Sequence, residues 1–116
     1  MLSIATDESF NGSILRGLRH RLTGLDALRV QDTEMYKSPD PVLLEWCVKH
    51  RRVLLTHDTS TMTPHMIQRA MAGLDLPRVV LVPQSMPIGQ AIDELMLIIE
   101  CSIDSDWEGS VWRLPL

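Results

Sequence analysis

Cysteine and aromatic residues are scarce in this chain of 116 residues, which has two cysteines, one phenylalanine and one tyrosine. Two cysteines cannot form the disulfide framework of a small secreted domain, and no CxxC or Cys/His spacing indicates a structural zinc site. We expect Cys47 and Cys101, both in apolar helical contexts, to be small core residues. Seven methionines and 45% hydrophobic residues predict a single core of aliphatic and thioether side chains.

An excess of positive charge is also missing, because the formal net charge is −4. No global field would attract nucleic acid, so any contact with phosphate must come from local clusters, of which Arg16–Arg21 and Lys49–Arg52 are the candidates. No apolar run approaches the roughly 20 residues that span a bilayer, and the N-terminus has no signal-peptide pattern. We therefore expect a cytoplasmic protein without membrane contact.

Short apolar runs alternate with amphipathic helical patterns along the chain. This alternation predicts βαβ units, and hence an α/β domain over residues 1–116 with a mainly parallel five-stranded sheet covered on both faces. The flavodoxin-like strand order 2-1-3-4-5 would make the first and third strands neighbours. The expected strands are Leu2–Ala5, Leu25–Val30, Arg52–Thr56, Arg78–Val82 and Ser110–Leu114, the last at an edge.

Helix-start signals precede the apolar patterns between these strands. Ser9 or Asn11 can cap the first helix, Asp40 stands before a proline at the second, and Thr63 stands before a proline at the third. Gly73 is expected to end the third helix. The inward residues are predicted to be Met66, Ile67, Ala70 and Met71 in the third helix, and Ile88, Ala91, Ile92, Leu95, Met96 and Ile99 in the fourth.

Carboxylates follow the first and third predicted strands. Asp7 and Glu8 come directly after the first, and Asp58 comes two residues after the third. Because neighbouring parallel strands end at one edge of the sheet, we expect these acids to meet there. Crowded carboxylates repel each other unless a cation lies among them, and Mg²⁺ or Mn²⁺ prefers such oxygen ligands. Asp7, Glu8 and Asp58 are therefore candidate metal ligands.

Other polar residues near these strand ends are candidates for supporting roles. Asp40 could act as a further catalytic acid, although helix capping is an equal alternative. Asn11 could contact a metal water or substrate oxygen, or only cap its helix, and Thr56 could orient a carboxylate or contact substrate. Arg16 lies one turn into the first helix, where it could contact phosphate. His57 is predicted to point away from Asp58 and to have at most a solvent or substrate contact.

Three blocks of sequence resemble the PIN-like family of small bacterial toxin–antitoxin proteins. "LSIATDESFNGSILRGL" is similar to a strand that runs into an Asp-Glu pair and an Asn opening a helix. "SPDPVLLEWCVKHRRVLLTHDTSTM" is similar to the second block, and "MPIGQAIDELMLIIECS" with "DWEGSVWRLPL" looks like the closing helix and strand. The resemblance implies a three-layer α/β/α Rossmann-like fold, and its motif positions fall on Asp7, Glu8, Asn11, Asp40 and Asp58.

The same resemblance implies a metal-dependent ribonuclease, in which acids hold Mg²⁺ or Mn²⁺ and an activated water attacks a phosphodiester. RNA and a small cognate antitoxin protein are the implied partners, and a homodimer is a further expectation. Ser9 and Ser60 stand where relatives often carry acids. Fewer carboxylates predict weaker metal binding, or one ion rather than two.

Two other functions fit parts of the sequence. The first is a catalytically weakened module that binds a protein partner, with Trp107 and Trp112 available for an interface. The second is a phosphoryl-receiver domain, which also has acids after its first and third strands. A receiver needs Ser or Thr at the end of strand four and Lys at the end of strand five, whereas Ser85 comes late and "WRLPL" has no lysine.

Overall fold

The structure is a computed structural model that describes residues 1–58, 60–102 and 111–116. Its centre is a five-stranded sheet in the order β2-β1-β3-β4-β5, and every pairing is parallel. The predicted strand order and the edge position of the last strand are confirmed. The strands are β1 (Ile4–Thr6), β2 (Ala27–Arg29), β3 (Val53–Thr56), β4 (Val79–Leu81) and β5 (Val111–Arg113).

Four helices connect these strands and cover both faces of the sheet, which gives the expected three-layer α/β/α Rossmann-like architecture. Unbroken burial along β1, β3 and β4 explains why their sequences are continuous apolar runs rather than alternating ones. The helices are α1 (Gly12–Arg21), α2 (Asp40–His50), α3 (Met62–Met71) and α4 (Ile88–Cys101).

Successive strand residues feed two separate apolar cores, because side chains alternate across a sheet. Leu55 packs in the core that α1 and α4 complete, whereas Leu54 packs in the core beneath α2 and α3. Helices α1 and α4 approach closely at Gly17, where an added Cβ would lie 2.4 Å from Cδ1 of Ile92. Glycine at this position therefore permits the helix contact that closes one layer.

The second and fifth strands are shorter than predicted. Only Ala27–Arg29 of the expected second strand is extended, and a 3₁₀ helix, Val30–Asp32, follows it. In the fifth, Val111–Arg113 forms the strand, while Ser110 and Trp107 lie outside the described residues. Trp112 is half-buried on this edge strand and packs against the α1/α4 core.

The third helix shows the largest difference from the sequence-based prediction. It begins at Met62 rather than after Thr63, and its buried residues are Met62, Met66 and Arg69. The predicted inward positions Ile67 and Met71 are 54% and 84% exposed, and Ala70 is exposed as well. The buried face of α3 is therefore rotated about the helix axis relative to the face predicted from the sequence.

Arg69 explains that rotation. Its guanidinium donates to the carbonyl oxygen of Asp75 at 2.7 Å and pairs with Glu45 of α2 at 2.9 Å. A buried arginine with these partners takes the position that an apolar residue was expected to fill.

Three smaller predictions about helices and cysteines are also wrong. Asp40 is the first residue of α2, and Pro39 occupies the cap position without a side-chain cap bond. Ile88, expected in the core, is 42% exposed at the start of α4. Cys47 is buried as predicted, but Cys101 is exposed. Within the described parts of the chain, no helix is both long enough and apolar enough to cross a membrane.

Candidate functional site

Asp7 stands at the carboxyl end of β1, where its backbone N–H continues the pairing with β3 by donating to Leu55 O at 3.3 Å. One carboxylate oxygen accepts a hydrogen bond from the Thr56 hydroxyl, and the Ser9 hydroxyl lies 3.4 Å from the other. The side chain is half-buried. Among the residues that the structure describes, the side-chain donors to this carboxylate are thus two neutral hydroxyls.

The environment of Asp7 raises the pKa of its carboxyl above the ordinary value of 3.8. Burial is the largest cause, because the charged form loses solvation. Hydrogen bonds from Thr56 and Ser9 and the charge of His57 act in the opposite direction, and the negative charge of Asp58 adds the smallest contribution to the increase. This contribution agrees with the proximity of Asp7 and Asp58 that their positions in the sequence predict.

Asp58 lies in the loop between β3 and α3 and accepts hydrogen bonds from that loop. Its Oδ1 accepts from the backbone N–H groups of Ser60 and Thr61 at 3.0 and 2.9 Å, and its Oδ2 accepts from the Thr61 hydroxyl. These bonds, with those from Thr61 the largest cause, lower the pKa of Asp58 below 3.8. The carboxylate thus fixes the turn that leads into α3, which begins at Met62.

Thr56 connects the two acids. Its hydroxyl donates to Asp7 and accepts from the backbone N–H of Asp58 at 3.0 Å. The residue is fully buried at 0% exposure, which leaves no surface for the expected substrate contact. The alternative role from the sequence, orientation of a carboxylate, matches the observed hydrogen bonds.

Asp40 approaches this pair from the start of α2. Its Oδ2 lies 3.4 Å from the Thr61 hydroxyl, which also contacts Asp58. Because a hydroxyl carries one proton, Thr61 donates to only one of these carboxylates at a time. The same Asp40 oxygen lies 3.9 Å from Nε2 of His65, which is half-buried.

Sequence reasoning missed Thr61, which bridges two of the predicted acids. The sequence contains a weaker signal, because Asp side chains often hydrogen-bond groups a few residues on in a turn, and Thr61 lies three residues after Asp58.

Glu8 and Asn11 make contacts outside the carboxylate pair. Glu8 is exposed, and its carboxylate accepts a hydrogen bond from the backbone N–H of Lys37, a residue in the left-handed conformation with φ 60°. Asn11 caps α1 through a hydrogen bond from the Ser13 backbone N–H to its Oδ1 at 2.8 Å. The capping role of Asn11 is confirmed, and the metal role of Glu8 stays a prediction.

His57 has a structural position that the sequence did not indicate. Its Nε2 accepts a hydrogen bond from the Asn11 backbone N–H at 3.1 Å, and Nδ1 lies 2.8 Å from the carbonyl oxygen of Val82. Its ring also stacks on Phe10 with centroids 4.5 Å apart. Since a carbonyl can only accept, Nδ1 carries the proton. These structural contacts of His57 come in addition to the solvent or substrate contact that the sequence predicts, which stays a prediction.

The basic residues Arg16–Arg21 follow α1 from one end of the sheet to the other, because Arg16 lies near the helix start whereas Arg19 donates to Ala27 O at the amino end of β2. Arg16 is exposed near the start of α1, where it donates to the Ser13 hydroxyl at 2.9 Å and makes no ion pair with a described acid. Its position beside the helix start keeps it near the Asp7 edge. In contrast, Arg51 and Arg52 lie at the amino end of β3 and line a cavity of about 400 Å³ there. The Lys49–Arg52 cluster therefore cannot contact a phosphate bound at the carboxylates.

The donor set fits a hard divalent cation held by few protein ligands. Asp7 and Asp58 present carboxylate oxygens on one edge, and no Lys, Arg or His of the described residues forms an ion pair with either. The described residues contain no group of three or more acids, histidines or cysteines placed to hold a metal. Mg²⁺ commonly binds through one or two carboxylates, water and substrate phosphate, so two acids are sufficient.

Comparison with known proteins adds no relative to this description. No family model, no curated protein and no solved structure gives a significant match to the chain.

Proposed function

We propose that this protein is a metal-dependent ribonuclease of PIN-like type, which hydrolyses RNA phosphodiester bonds with the help of one Mg²⁺ or Mn²⁺. The observation that carries the proposal is that Asp7 and Asp58, at the ends of adjacent strands, both contact the Thr56 hydroxyl and form no ion pair with a described residue. A toxin role with a small antitoxin partner follows from the sequence resemblance and is part of the same proposal.

The charge arrangement supports a cation rather than a simple structural role. Burial disfavours ionised Asp7 more than its hydrogen bonds and the charge of His57 favour it, so the free site carries an electrostatic cost that a bound cation would reduce. Asp26, in contrast, has a cationic partner in Arg52 at 2.8 Å. Asp7 has only hydroxyl donors among the described residues.

The chain's own residues have distinct tasks in this proposal. Asp7 and Asp58 would hold the ion, and Thr56 fixes Asp7. Asp40, whose Oδ2 lies 3.4 Å from the Thr61 hydroxyl that contacts Asp58, would be a further acid at the edge of the site. Arg16, at the start of α1, would bind a neighbouring phosphate. When bound, the ion would lower the pKa of a coordinated water and stabilise negative charge on the phosphate.

The test is RNA cleavage with Mn²⁺ or Mg²⁺ by wild type, Asp7→Asn, Asp58→Asn and Asp93→Asn. Asp93 is exposed on α4 and makes no described hydrogen bond or ion pair, so it is the matched control. We expect metal-dependent cleavage by wild type and Asp93→Asn. Each site variant should lose at least the roughly 10–100-fold that removal of an outer-shell partner costs. Absence of metal-dependent cleavage by wild type across varied RNAs would contradict the proposal.

A second candidate function is a protein-binding module, and the exposed face of α3 favours it. Ile67, Met71 and Leu74 are 54%, 84% and 52% exposed on this helix and the turn after it. Neighbouring exposed apolar side chains of this kind mark contact surfaces more often than isolated ones do. An antitoxin or a second copy of the chain are the partners this function would require. The phosphoryl-receiver alternative gains nothing, because Pro83 follows the end of β4 and no lysine follows β5 in the described residues.

A further inference from the structure

A second cavity, also of about 400 Å³, lies beside Asp7 at the carboxyl edge of the sheet. Ser9 lines this cavity, and its hydroxyl is 3.4 Å from Asp7 Oδ1, so one side chain separates the cavity from the proposed metal ligand. The volume is within the range of small-molecule sites. The cavity is therefore large enough for a group of the substrate that lies next to the reacting phosphate.

The lining of this cavity contains no acidic residue, lysine or arginine. It consists of Ser9, Asn11, Ile14, His57, Pro83, Gln84, Met86 and Ile88. A cavity without charged side chains does not favour a phosphate or an ammonium group, because each would lose solvation without a partner of opposite charge. A neutral group with both apolar surface and hydrogen-bonding edges fits this lining better.

A rigid aromatic ring forms part of the wall. His57 is fixed on both ring nitrogens, by the Asn11 N–H and the Val82 carbonyl, and Phe10 stacks on it with an interplanar angle of 8°. Such a ring loses little conformational freedom when a second flat group contacts it. Unpaired bases of RNA bind proteins by stacking on aromatic side chains, histidine included.

Polar and apolar groups in the wall are also free to contact a ligand. The side chain of Gln84 is exposed and makes no hydrogen bond with a described residue. Ile88 remains 42% exposed although the helical pattern of α4 places it on the apolar stripe. An exposed apolar side chain beside an unused carboxamide is what a base-binding pocket requires.

We propose that this cavity binds an unpaired nucleobase of the RNA, with a preference for adenine. A carboxamide presents an adjacent donor and acceptor that match N6 and N7 of adenine, and Gln84 supplies this group. Stacking on His57 and contact with Met86 or Ile88 would hold the base flat. The inference rests on the proposed ribonuclease function, and it adds the feature that selects the cleavage position.

The first experiment measures base binding without metal or catalysis. Adenosine or cytidine is added to the ¹⁵N-labelled full chain, and the side-chain amide signals of Gln84 and Asn11 are followed by NMR. We expect adenosine to shift these signals, and Gln84→Leu to weaken adenosine binding about 10-fold. Gln68→Leu, the same change at an exposed glutamine of α3, should bind adenosine as wild type does. Thermal unfolding establishes that both variants fold.

The second experiment measures Mn²⁺-dependent cleavage of RNAs that differ by one A→C change, with wild type and Gln84→Leu. We expect a preference for the adenine substrate that Gln84→Leu removes. Cleavage that requires Asp7, without base preference or adenosine binding, would overturn the proposed base-binding role of the cavity and support the ribonuclease function. Adenosine binding at Gln84 without metal-dependent cleavage would support base binding and overturn the nuclease. Neither binding nor cleavage would overturn both.

Discussion

The buried hydroxyl of Thr56 donates a hydrogen bond to the carboxylate of Asp7, and this bond joins β3 to the end of β1. The same oxygen accepts the backbone N–H of Asp58 at 3.0 Å. One side chain with no solvent exposure thereby sets the positions of both proposed metal ligands.

Replacement of Thr56 by valine is expected to destabilise the protein by about 1–3 kcal/mol, because Asp7 loses a donor and the Asp58 N–H loses an acceptor. Thr56→Ser keeps the hydroxyl and should lose less. Urea denaturation at pH 7 measures both variants. Equal free energies of unfolding for the two variants would show that the hydroxyl does not contribute.

Asp7→Asn is expected to keep or increase the free energy of unfolding at pH 7 without metal, because the folded state disfavours the charged carboxylate. The raised pKa of Asp7 gives a defined sign. In wild type, Asp7 contributes favourably to the free energy of unfolding below its unfolded-state pKa of 3.8. This contribution is lost as the pH rises through the higher folded-state pKa. Urea denaturation between pH 3.5 and 7 should show that this pH-dependent decrease in the free energy of unfolding is absent in Asp7→Asn. An Asp7→Asn variant that is strongly destabilised at pH 7 would contradict the account.

Asp58 should show the opposite pH dependence. Its pKa is lowered by hydrogen bonds from Thr61 and Ser60, so its contribution is present above 3.8 and is lost as pH falls through the lowered value. Asp58→Ala is expected to cost about 1–3 kcal/mol, because the backbone N–H groups of Ser60 and Thr61 lose their acceptor. Asp58→Asn retains an acceptor oxygen and should cost less. Urea denaturation of both variants at pH 7 tests these turn hydrogen bonds, and an Asp58→Ala variant as stable as wild type would show that they do not contribute.

The two thiols should differ in reactivity with a disulfide reagent such as DTNB. Cys47 is buried, and burial raises the pKa of its thiol to about 12, so almost no thiolate is present near pH 8. Cys101 is exposed. We expect one thiol to react in the native protein and two in 6 M guanidinium chloride. Rapid reaction of two thiols in the native state would contradict the packing of α2 against the sheet.

Much of the fold follows from the period of the apolar residues. Strands β1, β3 and β4 are buried on both faces, so their sequences are short apolar runs between helical patterns, and this arrangement predicts a parallel sheet. Strand order then places Asp7 beside Asp58, because both follow neighbouring strands. The proximity of these two acids could therefore be predicted before any coordinates.

The errors arise where long-range polar contacts decide the structure. In α3, Met66, Ile67, Ala70 and Met71 form one apolar face by helical spacing, but only Met66 at its edge is buried. Arg69 decides which face is buried through its contacts with Glu45 and Asp75. No local pattern encodes these partners.

His57 shows the same limit at the candidate site. Its two ring nitrogens bind backbone groups of Asn11 and Val82, which are 46 and 25 residues away in sequence. The local sequence shows only a histidine beside an aspartate, so the contacts that fix its ring could not be read from it.

The most direct test of the shared cation is a measurement of Mn²⁺ binding. The EPR signal of free Mn²⁺ is recorded as protein is added, and its decrease reports the bound ion. The account predicts one Mn²⁺ bound per chain by wild type and by Asp93→Asn, with much weaker binding by Asp7→Asn and by Asp58→Asn. Equal Mn²⁺ affinity in all four proteins, or no binding by wild type, would contradict the claim that Asp7 and Asp58 hold one ion together.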